Sequence, residues 1–178
     1  MKKIYIISML LVPLFLCFCS GSKVTENNLV NGLKFYLLKD STITANEIMW
    51  VDLSDLTLAE KPFLSYEDLI YYDWSKHSFE IGLSKANEIK SFCDKNISMR
   101  GIPFVVTVDK ERIYLGAFWA SYSSLGPTFP HIDALFRTSE TSNILILKKA
   151  WDSISINPDL RNDERIYNSL IKYGLLLK

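Results

Sequence analysis

Residues 102–119, IPFVVTVDKERIYLGAFW, limit the possible folds more than any other stretch of the chain. Phe104, Val106 and Val108 fall on one face of an extended chain, Val105 and Thr107 on the other. After the charged tetrad Asp109-Lys110-Glu111-Arg112, Ile113, Leu115, Ala117 and Trp119 alternate with Tyr114, Gly116 and Phe118. Branched and aromatic residues at period two, interrupted once by a short polar turn, predict an antiparallel hairpin. Polar residues do not recur at every second position, so neither face is expected to be wet. The hairpin should lie at the centre of a sheet and be covered by helices. Lys110-Glu111 is a poor pair for a type I′ turn, which predicts a longer or bulged loop.

The flanking segments extend this to an α+β domain. Residues 32–40, GLKFYLLKD, alternate Leu33, Phe35 and Leu37 against Lys34 and Tyr36, as a strand with one buried face does. Residues 41–61 are acidic and irregular and give no assignment. Ser65 and Asp68 have capping-box spacing and predict a short helix starting at Ser65. A turn at Ser75-Lys76-His77 should lead into a strand through Phe79, Ile81 and Leu83. Ser84 can then cap a helix carrying Ala86, Ile89, Phe92 and Cys93 on one stripe. Residues 120–132 hold serines, a glycine and two prolines and must be loop; NILILKKAW is a further candidate strand. The closing helix has Asp159 or Asn162 as cap, Asp163 and Glu164 in its first turn, and Ile166, Leu170 and Tyr173 inward, with Gly174 at C′. The expected product is one compact domain, a mostly antiparallel sheet packed against two or three helices.

The chain begins MKKIYIISMLLVPLFLCFCSGSK: two lysines, a short apolar run containing Pro13, then small polar residues. That is the pattern of a secretory signal, and the run is shorter than the roughly 20 residues of a comfortable membrane span. Leu16-Cys17-Phe18-Cys19-Ser20-Gly21 resembles the lipobox of bacterial lipoproteins, which implies cleavage after residue 18 and lipidation of Cys19, or of Cys17 if the site is shifted. On that basis residues 1–18 are signal, 19–31 tether and 32–178 the domain. Diacyl and amide-linked chains would anchor it to a membrane effectively permanently, at about 0.8 kcal/mol per buried methylene.

Charge narrows the partners. The chain carries 20 basic and 20 acidic residues, and loss of Lys2 and Lys3 with the leader leaves a slight acidic excess. No basic field for nucleic acid is expected. With Cys19 lipidated, Cys93 is the one thiol of the mature domain, so neither an internal disulfide nor a cysteine metal cluster is expected.

The order strand, helix, then Gly101-Ile102-Pro103-Phe104 before a strand with the turn Val108-Asp109-Lys110-Glu111-Arg112 resembles the head of the first periplasmic domain of SecD, a membrane component of bacterial protein export. The resemblance covers about 62–125, with Lys110 in place of the glycine common at that turn. It implies a compact α+β head; it does not imply translocase activity, because that family is polytopic and no transmembrane segment beyond the leader is expected here.

Chemistry-bearing constellations are sparse. The chain has two histidines, His77 and His131. His131, Asp133 and Ser121, Ser123 and Ser124 invite a Ser-His-Asp reading, but no Gly-x-Ser-x-Gly elbow exists and all lie on one loop. Both histidines are expected to be hydrated loop residues, and neither has further metal ligands at recognisable spacing. Asp159, Asp163 and Glu164 with Arg161 and Arg165 are expected to cap and neutralise a helix start rather than work as acid and base. Seven ungrouped glycines offer no phosphate loop. Phe118, Trp119, Tyr122, Phe129 and Phe136 gather around the 121–130 loop, and of these Phe118, Trp119, Tyr122 and Phe129 form the candidate partner surface. The expectation is a non-enzymatic, lipid-anchored envelope protein that binds a protein partner and needs no cofactor. The alternatives are a hydrolase working through the loop between Ser121 and Asp133, or a small-ligand carrier.

Overall fold

The structure, a computed structural model, describes residues 31–135, 143–151 and 159–177. The lipidation positions Cys17 and Cys19, and Phe136, lie outside the described residues. Eight strands form one mixed sheet: β1 (Leu33–Leu37), β2 (Leu64–Ser65), β3 (Leu69–Asp73), β4 (Ser78–Ile81), β5 (Ile102–Val108), β6 (Glu111–Trp119), β7 (His131–Asp133) and β8 (Ile144–Lys148). Two α-helices accompany it, α1 (Leu83–Asn96) and α2 (Glu164–Lys172). The domain is thus mostly β with some helix, broadly α+β. The spatial order is β2-β1-β5-β6-β7-β8-β4-β3, antiparallel throughout except for the parallel pair β6–β7.

The sheet curls almost into a barrel, for a reason visible in its order. β2 and β3 stand at its two ends, yet only the single 3₁₀ turn Tyr66–Asp68 separates them along the chain. The two edges must therefore approach each other. The seam is dressed by residues 175–177: the Tyr72 amide donates to the Leu175 carbonyl (2.7 Å) and the Leu177 amide to the Tyr72 carbonyl (2.8 Å). All eight strands send side chains into one core that includes Phe35, Leu64, Tyr72, Phe79, Phe104, Phe118, Ile132 and Leu147. That matches an eight-stranded barrel, whose interior is just wide enough for side chains to fill. Ala86, Ile89 and Cys93 of α1 and Ile166 and Leu170 of α2 join the same cluster, whereas Phe92 is half-buried at its edge and Tyr173, also half-buried, stacks on Tyr66 instead.

Four expectations need correction. The outer face of the central hairpin is covered not by helices but by the irregular segment after β1. Leu38, Ile48 and Leu56 pack on Val105, and Ala45 packs with Ala117, Trp119 and Phe129. The hairpin turn is tight, because its two central residues are Asp109 and Lys110, both at positive φ (49° and 81°), with Val108 paired to Glu111. The Asp109 carboxylate accepts the Gly32 amide (2.6 Å), which anchors the turn; the irregularity falls instead within the strands, between Val106 and Thr107. The Ser65–Asp68 capping box forms, but it encloses one 3₁₀ turn and the chain then enters β3. Leu83 starts α1 with Gly82 as N-cap, rather than continuing β4.

At the other end, Asp159 caps the turn Leu160–Asn162 and Asp163 caps α2. Each also grips the arginine two residues on. Arg161 Nη2 lies 2.6 Å from Asp159, and Arg165 Nη2 lies 2.7 Å from Asp163. Capping with charge pairing is what this acidic cluster does locally, and it leaves no open pair of carboxylates.

Candidate functional sites flanking the 120–130 loop

The residues singled out in the sequence separate once placed. Phe118 is fully buried, and Trp119 and Phe129 are 4% and 5% exposed. Trp119 meets Phe129 edge to face at 6.1 Å between ring centres, and its Nε1 donates to the Leu125 carbonyl (3.1 Å). Gly101 makes the packing possible: at φ 76° it carries no Cβ, and an added one would sit 2.5 Å from the Trp119 ring. Three of the four candidate surface residues are therefore wall and core. Tyr122, at 58%, is the exposed one.

Two hollows adjoin that wall. The first, about 190 Å³, is lined by Met49, Trp50, Val51, Leu53, Ile113, Leu115 and Phe129 among others. Trp50 is 86% exposed on its rim, with Val51 beside it at 41%. The local chain is tied down by hydrogen bonds despite its irregular trace. Thr44 and Glu47 form a reciprocal cap, Asp52 accepts the Ser54 amide (2.8 Å), and Arg112 donates to the Leu53 carbonyl. Pattern reading could not reach Trp50, because a lone tryptophan in an unassigned segment has no periodicity to mark its face.

The second hollow, about 310 Å³, is lined by Trp119, Ser121, Ser123, His131, Lys148, Lys149 and Trp151, with Leu125 and Pro127. β7 and β8 build its floor: His131 sits opposite Lys148 in the antiparallel register. His131 is 9% exposed, contrary to the expected hydrated loop histidine, because residues 131–133 join the sheet beside β6. Burial, aided by the Lys148 charge, depresses its pKa to about 4, so the ring is neutral at neutral pH. Its Nδ1 is buried with no hydrogen-bond partner among the described residues. Lys148 pairs with Asp133 (3.5 Å), and Trp151, 55% exposed, lies against Gly126.

The serine, histidine and aspartate of this loop are not wired as a triad. The Ser123 hydroxyl donates to the Met99 carbonyl (2.6 Å), Asp133 accepts the Leu135 amide (3.0 Å) and faces Lys148, and His131 Nδ1 bonds to neither. A relay needs hydrogen bonds from nucleophile to base and from base to orienting acid.

His77 is also buried, at 8%, in a turn where it adopts φ 47°. The rings of Tyr72 and Trp74 pack edge-on against it, the Tyr72 hydroxyl lies 3.2 Å from its Nδ1, and its carbonyl accepts the Leu147 amide. Burial first, then the Arg161 charge, lowers its pKa. Cys93 is fully buried on α1, and burial pushes its thiol up to about 12, so it is not a nucleophile at neutral pH. Among the described residues no cluster of three or more metal-ligating side chains exists, and no helix is long and apolar enough to cross a membrane. Comparison of the chain with protein families, with curated proteins and with solved structures returned no match.

Proposed function

We propose that this chain is a lipid-anchored protein of a bacterial envelope whose β-rich domain docks a protein partner in the apolar groove beside Trp50, without catalysing a reaction. The observation that carries the docking is Trp50 itself. A tryptophan 86% exposed on the rim of an apolar groove leaves a large ring in water, and such rings are enriched among the side chains that dominate interfaces. Phe129 at the groove's floor keeps part of the candidate surface in this role. Exposed Asp52 and Asp55 next to the groove favour a partner segment with an apolar side chain flanked by basic residues.

The envelope setting rests on the lipobox-like Leu16-Cys17-Phe18-Cys19 and the leader before it. The resemblance of 62–125 to the SecD head and the expected packing of the sheet against its helices remain part of this reading, with a binding role in place of a motor. Neither nucleic acid nor a cofactor is required.

A photo-crosslinking residue placed at position 50 in cells tests the docking, with Ile70, 54% exposed on β3, as the control position. Position 50 should trap a discrete partner, and Asp52→Lys with Asp55→Lys should lower the yield. Equal, diffuse trapping from positions 50 and 70 would remove the groove from consideration. The anchor is tested by fatty-acid labelling: Cys19→Ser should lose label while Cys17→Ser keeps it, and full label in Cys19→Ser would move the site or refute lipidation there.

A further inference from the structure

The hollow at Trp151 has a chemistry that partner docking at Trp50 does not use. From the geometry we infer that it binds a small hydroxylated carboxylate of the sugar-acid class. Three features of the lining converge on that ligand. Lys148 and Lys149 bring two ammonium groups to one rim, and the Asp133 carboxylate beside Lys148 offsets one of them, so the hollow keeps a net positive charge for an anionic group. His131, nine-tenths buried, lines the same hollow and so senses what fills it. Ser121, exposed on the rim, adds a further hydroxyl. Trp151 rests on Gly126 and leaves over half of its surface open, a flat platform for the C–H face of a sugar ring.

Size agrees with this class. About 310 Å³ is at the small end of ligand pockets, enough for one ring with its substituents and not for a folded partner. A simple anion would leave the indole unused; a neutral sugar would leave both lysines unused.

The two histidines supply the readout. In the full mature protein carrying nitrogen-labelled histidine, held in detergent micelles, glucuronate is titrated and the imidazole resonances followed by NMR. His131 should shift saturably while His77, buried elsewhere against Tyr72 and Trp74, stays still and reports an intact fold. Glucose and acetate, each lacking one half of the recognition, should bind roughly tenfold more weakly or not at all. Lys149→Glu should weaken glucuronate by a similar factor, and Trp151→Ala should do so with the lysines intact. A silent His131 at millimolar glucuronate, or equal responses to glucuronate, glucose and acetate, would overturn the proposal. So would a glucuronate affinity that neither substitution changes while His77 remains native. Crosslinking from position 50 is unaffected by any of these outcomes.

Discussion

The groove beside Trp50 and the hollow beside Trp151 back onto each other through the contact of Trp119 with Phe129, yet they face solvent with opposite chemistry. The groove is apolar and comes from residues 49–53, a bend that enters the 3₁₀ turn Leu53–Asp55, laid over β6. The hollow is cationic and hydrogen-bonding, and its floor comes from paired strands. Regular pairing fixes which side chains share a face, so β7 and β8 can hold His131 and Lys148 in register across the ladder. An irregular cover is free of that alternation and can present consecutive apolar residues, as Met49, Trp50 and Val51 do.

The strongest way to break this comparison is to remove the shared wall. Trp119→Ala empties a site that is 4% exposed and should cost about 3–5 kcal/mol, read as a thermal midpoint lower by on the order of 10 °C, with both hollows disturbed. A midpoint within a degree or two of the parent would mean the wall is not shared. Acid distinguishes the hollows next. The fold accommodates neutral His131, with its pKa depressed from about 6.5 to about 4, so stability is full above about pH 6.5 and is lost as pH falls towards 4. The slope should not exceed about 1.4 kcal/mol per pH unit for this group, and His131→Gln should flatten it, leaving the weaker contribution of His77. Denaturant midpoints measured across that range, with an unchanged slope in the variant, would assign the acid sensitivity elsewhere.

Smaller effects sharpen the contrast. At Gly126 an added Cβ would lie 2.5 Å from the Trp151 ring, but that ring is exposed and free to swing. Gly126→Ala should therefore cost under about 1 kcal/mol while changing the Trp151 environment, seen as altered fluorescence and weaker glucuronate binding. Trp50→Ala should alter stability least, within about 0.5 kcal/mol, and yet remove partner trapping beside the groove. A large fall in midpoint would show Trp50 to be structural.

Much of the architecture was legible because it rests on period and capping. The β5–β6 hairpin, β1, β4, β8, the inward stripe of α1 and the acidic start of α2 all follow from local pattern. β3 was hidden because Leu69–Asp73 follows a capping box that reads as a helix start. β7 is three residues long and parallel to β6, a pairing without local signature. Near-closure of the sheet depends on β2 and β3 meeting, which no single segment encodes. The loop around Trp119 and Tyr122 stands out in the sequence as aromatic, but burial could not be read from composition, and Lys148, Lys149 and Trp151 are brought to it only by the β7–β8 pairing.

The stitching of Tyr72 to Leu175 and Leu177 joins positions about a hundred residues apart in the chain. Until that late stretch has been synthesised and has docked, β3's margin stays bare. A molecule stalled or clipped before Leu175 therefore presents an open β margin, the kind of surface on which other chains stack.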